Sequence, residues 1–265
     1  MEQLMKPELT QALRELRLPV FATQHTAQAA LAANEGWSFD RFLLGLCELE
    51  LQQRASRRML KLLLAARLPR EKTLATFDRS RLKQSVARQF AALLNGDFLA
   101  RAENVLVFGN PGGGKTHLLC ALGHELVKQG HAVYFTPCVL LVQRLLLAKA
   151  GLWLEKELKR LDRFAALIID DLGYVQQSRE EMEVLFTLLA HRYERRSVLL
   201  TSNLVFSQWE RIFKDPLTTA AAVDRLVHHS VILEMNLPSY RMENAKRRQP
   251  KPVEDADAVA ANTAS

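Results

Sequence analysis

Eight consecutive residues near the middle of the chain, Gly109-Asn110-Pro111-Gly112-Gly113-Gly114-Lys115-Thr116, leave few folds open. They follow a short β-rich run at 105–108 and precede an apolar helical run at 117–128, so the order is strand, glycine-rich loop, helix. Glycines let the backbone curl until successive N–H groups face inward, and the helix N-terminus adds partial positive charge. Lys115 then reaches the terminal phosphates of a nucleotide, and the Thr116 hydroxyl ligates magnesium. With His117 opening the helix, residues 109–117 form the expected nucleotide cradle.

Four further β-rich runs, at 132–136, 166–170, 197–201 and 231–235, are separated by longer helical segments. This alternation predicts an α/β fold with a mostly parallel five-stranded sheet and helices on both faces. The run at 166–170 ends in Asp170-Asp171. Asp170 is placed to bind Mg²⁺ and Asp171 to orient or deprotonate an attacking water. The run at 197–201 leads into Ser202-Asn203, where a polar side chain can touch a γ-phosphate, although Asn at a strand end is also an ordinary turn former. Arg225 and Arg241 are cations of the kind that offset charge in phosphoryl transfer. Each is equally open to a structural ion pair, Arg225 with Asp224 for example.

Ahead of the loop the chain reads as helices. Pro7 opens one pattern and Pro19 closes it, and an alanine-rich helix follows to about 34–36. Ser38 then caps a long helix in which Phe39, Phe42, Leu43 and Leu46 form an apolar stripe, with no proline until Pro69. On its far part Arg54, Arg57, Arg58 and Lys61 fall at i, i+3, i+4 and i+7, a cationic ridge with no carboxylate expected on that side. The net charge of the whole chain is +7, yet residues 41–88 alone hold twelve basic side chains against four acidic ones. Such a local excess suggests a surface that faces a polyanion, nucleic acid being the commonest such partner, the alternative being a solvated helix face. Residues 72–81 read as a connector and 83–95 as a helix. The expected division is a helical N-terminal domain at 1–72, a nucleotide-binding domain at 73–245 and a disordered tail at 246–265.

Several classes of function are set aside. No run approaches the ~20 apolar residues of a membrane span, and the first residues lack a secretory pattern, so a cytoplasmic protein without membrane contact is expected. Cys47, Cys120 and Cys138 are too scattered for a disulfide framework or a zinc site. His117 and His124 share a helix face but lack a third metal ligand at useful spacing.

Taken in order, the phosphate loop, the DD strand, the TSN strand end, DRL-HHS and SYR resemble an AAA+ ATPase of the DnaA/DnaC group. The segments LRLPVFA, ENVLVFGNPGGGKTHL, RFAALIIDDLGY, HRYERRSVLLTSN and DPLTTAAAVDRLVHHS…SYR resemble the IstB-like helper ATPases encoded by insertion sequences, over roughly residues 10–245. The resemblance implies ATP and Mg²⁺ as cofactors, with Lys115 and Thr116 on nucleotide, Asp170 on metal and Asp171 on water. It also implies Asn203 as first sensor, Arg225 as a finger acting on a neighbouring subunit and Arg241 as second sensor. Its implied partners are target DNA, a cognate transposase and further copies of the chain. Asp171 stands where AAA+ proteins usually carry glutamate, one methylene longer, which predicts slow turnover. Only about 30 residues follow Met235, too few for the usual helical lid, so a neighbouring subunit is expected to enclose the nucleotide. Two other readings stay open: a DnaC-like helicase loader, and a nucleotide-switched DNA scaffold with negligible turnover.

Overall fold

The computed structural model describes residues 2–173, 178–204, 208–209 and 216–240. Three helices come first: α1 (Glu2–Glu15), α2 (Pro19–Glu35) and α3 (Phe39–Ala66). Pro19 sits in the first turn of α2, where its missing N–H costs no helical bond. Gly36 ends that helix in the left-handed region, its N–H on the Ala32 carbonyl. The Ser38 hydroxyl accepts from the Arg41 N–H and starts α3 as expected. Pro7 departs from expectation, because α1 begins at Glu2 and contains it; the proline forgoes one backbone bond near the helix start.

The three helices meet over Leu13, Phe21 and Leu46, with Phe42 and Cys47 packed alongside. The expected α3 stripe is only partly used: Leu46 is 3% exposed, but Phe39 is 93% exposed because the first residue of α3 lies outside this cluster.

One turn beyond Leu46, Glu50 is 4% exposed. Its carboxylate accepts the Val20 N–H at 2.9 Å and the Arg54 Nε–H at 2.8 Å, while Arg54 Nη2 donates to the Arg17 carbonyl at 2.7 Å. Arg54 is therefore a fastener between α3 and the α1–α2 turn, which corrects the expectation of a ridge with no carboxylate beside it. Burial pushes the Glu50 carboxyl up, but Arg54, the Val20 N–H and Arg57 more than offset it, so its pKa lies below the ordinary glutamate value.

The far end of α3 packs elsewhere. Ala66 and Leu68 are buried with Val105, Val107 and Leu118 in the core of the sheet. The strands are β1 (Asn104–Phe108), β2 (Val133–Pro137), β3 (Ala166–Leu172), β4 (Ser197–Ser202) and β5 (Ser230–Glu234). All pair in parallel, in the order β2-β3-β4-β1-β5. Successive side chains leave a strand on opposite faces, and here both faces are covered. Val105, Val107, Ile168 and Leu199 face α4 (Gln84–Leu93) and α5 (Lys115–Lys128). Leu106, Phe108, Leu167, Ile169 and Leu200 face α6 (Cys138–Ala150), α7 (Leu154–Leu161), α8 (Arg179–Arg192) and α9 (Pro216–Val227). Among the described residues no helix is long and apolar enough to cross a membrane.

Replacing Glu50 with Ala leaves the Val20 N–H and the Arg54 guanidinium without their acceptor, at a cost of about 1–3 kcal/mol. Thermal denaturation at neutral pH is expected to show a midpoint lowered by about 3–8 °C. Because the folded-state pKa is depressed, this stabilisation is complete above the ordinary value of 4.5 and disappears as pH falls through the folded value. The wild-type and variant midpoints therefore converge in acid.

Candidate nucleotide site

β1 delivers the chain to Gly109, and α5 begins six residues later. Two glycines of this turn have neither the space nor the backbone angle for a side chain. Gly109 has φ 146°, and a Cβ there would collide with the Met235 carbonyl, whose residue is anchored by its own N–H on the Phe108 carbonyl at 2.7 Å. Gly112 has φ 78°, and a Cβ would run into the Ser239 hydroxyl. Residues 235–240 thus lie across the loop as a strap, with the Tyr240 N–H donating to the Gly112 carbonyl at 3.0 Å.

Lys115 is only 6% exposed. Its ammonium donates to the carbonyls of Gly109 at 2.7 Å and Asn110 at 3.0 Å, so the buried charge is compensated inside the loop. A cavity of about 300 Å³ opens over the loop, lined by Pro111, Gly112, Gly113, Gly114, Lys115, Thr116 and His117. Asp171 enters it from the end of β3 and Asn203 from the end of β4. The parallel order explains the convergence: β1, β4 and β3 are neighbours, so their C-terminal ends open on one crevice.

Asp170 lies behind Asp171, 8% exposed, with Oδ1 accepting from the Thr201 hydroxyl at 2.6 Å. It is near α5: burial pushes the Cys120 thiol up to about 12, against the pull of Lys72 and with the help of the Asp170 charge. The Thr116 hydroxyl and the Asp170 carboxylate are hard oxygen donors, a set that fits Mg²⁺ and not a soft metal.

The connector does more than connect. Lys72, Thr76, Phe77, Asp78 and Arg81 form the opposite wall of the cavity, with Leu237 and Tyr240 of the strap. Two histidines seven residues apart on α5 hold it there. His117 Nε2 lies 3.1 Å from the Thr73 carbonyl and 3.2 Å from the Thr76 hydroxyl, and His124 Nε2 lies 3.0 Å from the Pro69 carbonyl. Burial lowers the His117 pKa although the Thr73 carbonyl opposes it, so the ring is neutral near pH 7 and works as a latch. Phe77 packs edge-on against it at 5.2 Å. Arg81 stacks on the Tyr240 ring at 5.1 Å and donates to the Pro238 carbonyl at 3.0 Å. The available sequence signals were a lone phenylalanine in a polar connector and two histidines on one helix face.

The remaining site residues are elsewhere. Arg225, on α9, does not line the cavity; its guanidinium covers the Phe186 ring of α8 at 4.6 Å, and its Nη1 is buried with no hydrogen-bond partner among the described residues. Arg241 and the tail after it lie outside the described residues. Arg54, Arg57, Arg58 and Lys61 are exposed and line one shallow groove on α3 with Leu62 and Ala65.

This arrangement has counterparts in known proteins. An insertion-sequence ATP-binding protein of Sinorhizobium fredii (strain NBRC 101917 / NGR234) is 46% identical over 244 residues, which cover 91% of this chain and 82% of that protein. The insertion sequence IS5376 ATP-binding protein of Geobacillus stearothermophilus is 35% identical over 247 residues, 93% of this chain and 98% of that one. Among solved structures, AMPPCP-bound DnaA from Aquifex aeolicus superposes with a TM-score of 0.54 at 20% identity, over 68% of this chain and 55% of that one. DnaI gives a TM-score of 0.54 at 21% identity, over 64% and 96%. These two likenesses show the fold, a P-loop AAA+ core with a parallel five-stranded sheet. A model of the IstB-like ATP binding proteins matches residues 11–248, from the α1–α2 helices through the strap, and with the relatives' identity over nine-tenths of the sequence this means that the chain belongs to that family.

Proposed function

We propose that this protein is the ATP-hydrolysing helper of an insertion-sequence transposase, assembling with ATP on double-stranded target DNA and releasing ADP and phosphate. The observation that carries the reading is the single cavity that gathers Lys115, Thr116, Asp171 and Asn203 at the ends of three adjacent strands.

The chain's own groups divide the work. Loop N–H groups at the start of α5 receive the phosphates, and Lys115 exchanges its two carbonyl partners for phosphate oxygens. Thr116 and Asp170 would hold magnesium, which would supply neutralisation of the phosphate charge. Asp171 orients water for attack on the γ-phosphorus and accepts its proton as the bond to ADP breaks; Asn203 donates to the same phosphate. The shorter reach of Asp171 favours slow turnover.

Arg225, away from the cavity of its own chain, is assigned the role of a finger acting on a neighbouring subunit by family likeness. Arg241 is assigned the second-sensor role by family likeness alone. The groove of Arg57, Arg58 and Lys61 suits duplex phosphates read without sequence. Residues 1–72 serve as the DNA- and partner-facing domain, 73–245 as the ATPase and 246–265 as a tail, in a cytoplasmic setting.

Lys115→Ala is expected to abolish nucleotide binding, measured with a fluorescent ATP analogue. Asp171→Asn should keep binding and lower phosphate release by about 100-fold; if assembly on DNA and transposition survive in Asp171→Asn, the nucleotide acts as a switch without turnover. Mixing Lys115→Ala with Arg225→Ala, each inactive alone, should restore part of the ATPase rate, because intact loops then meet intact fingers. No recovery on mixing rules out action between subunits. Changing Arg57, Arg58 and Lys61 to Ala should weaken duplex binding evenly across sequences and flatten the slope of log K against log salt by about 2–3. An unaltered slope would place the DNA elsewhere.

A further inference from the structure

The pairing of β3 with β4 slips once. Ile169 stands opposite Leu200 and Leu172 opposite Ser202, so two residues of β3, Asp170 and Asp171, face a single residue of β4, Thr201. In a regular strand two consecutive side chains leave on opposite faces, and an extra residue of this kind re-aims them. Asp171 takes up the slack in the left-handed region at φ 60°. Its N–H donates to Thr201 Oγ1 at 2.8 Å, and the same hydroxyl donates its proton to Asp170 Oδ1 at 2.6 Å. One hydroxyl has one proton to give and lone pairs to receive with, so the two bonds are compatible and together fix its rotor. Thr201 is 0% exposed, which leaves no solvent to replace either bond.

We infer that Thr201 is a positioning residue for the hydrolytic site: its hydroxyl orients the metal-holding carboxylate of Asp170 and holds the peptide that turns Asp171 into the cavity. The inference rests on the ATPase reading above. With Oδ1 engaged, Oδ2 is the oxygen of Asp170 that would be left to hold a cation. Asn203, one residue past the end of β4, lines the same cavity, so one strand end sets all three groups.

Thr201→Val keeps the shape and removes the hydroxyl, and Thr201→Ser keeps the hydroxyl and removes a methyl. The full-length proteins would be titrated with fluorescent ADP in EDTA and across a Mg²⁺ series, and their ATP turnover followed over the same series. The valine variant is expected to bind ADP in EDTA as the wild type does, to need about tenfold more Mg²⁺ for half-maximal enhancement of ADP binding, and to lose about tenfold or more in kcat. The serine variant should return both values to within about threefold of wild type. A valine variant with wild-type Mg²⁺ requirement and kcat overturns the inference. So does one that loses ADP binding in EDTA, because the hydroxyl would then be serving the fold and not the metal. A wild-type protein without turnover would instead fail the ATPase reading, while the Mg²⁺-dependent step in ADP affinity would still compare the two proteins.

Discussion

The start of α5 is the point on which the molecule is organised. A helix leaves its first N–H groups without partners, and here the loop from Gly109 to Gly114 keeps them turned toward one cavity. The strap at 235–240 lies against that loop so closely that neither Gly109 nor Gly112 can carry a side chain. The strap is itself placed by β5, whose pairing with β1 continues into the Met235 N–H on the Phe108 carbonyl. The nucleotide cradle therefore depends on the outer strand of the sheet as directly as on its own eight residues.

A second chain of contacts runs from the cavity toward the N-terminal helices. His117 and His124 project from α5 onto the carbonyls of Thr73 and Pro69, and those residues follow directly on α3. α3 is one continuous helix, with Ala66 in the core of the sheet, Leu46 in the N-terminal cluster and Glu50 bonded to the Val20 N–H beside it. The cationic groove of Arg57, Arg58 and Lys61 lies between these two anchored ends. The connector also supplies Phe77 and Arg81 to the cavity, so it belongs to the site and to the link alike.

Much of this was legible in the residue order. The five strands fall within one or two residues of the runs read from the sequence, because a strand buried on both faces leaves an unbroken β-rich run. Ser38 was legible as a cap because its bond to Arg41 spans three residues. The Glu50 carboxylate beside Arg54 was legible, since the two residues stand four apart on one helix, but the Arg17 carbonyl that Arg54 also reaches lies 37 positions away and was not. Periodicity says which side of a helix a residue occupies but not what lies against that side. Arg225 shows the same gap: its spacing marks it as a cation of interest, yet its seat on Phe186 depends on how α9 packs against α8.

By itself, the sequence determined the chemistry that lies within a few bonds along the chain: the curl of the phosphate loop, the strand-to-helix alternation, the acidic pair at the end of β3. Those signals are local, so they need no knowledge of what packs against them. Only the tertiary structure decided that a connector becomes a cavity wall, that a strap closes on two glycines, and that Thr201 stands alone opposite two aspartates. Each of these follows from the register or approach of segments far apart in sequence, and a shift of one residue in the β3–β4 pairing would have put a different side chain between Asp170 and Asp171.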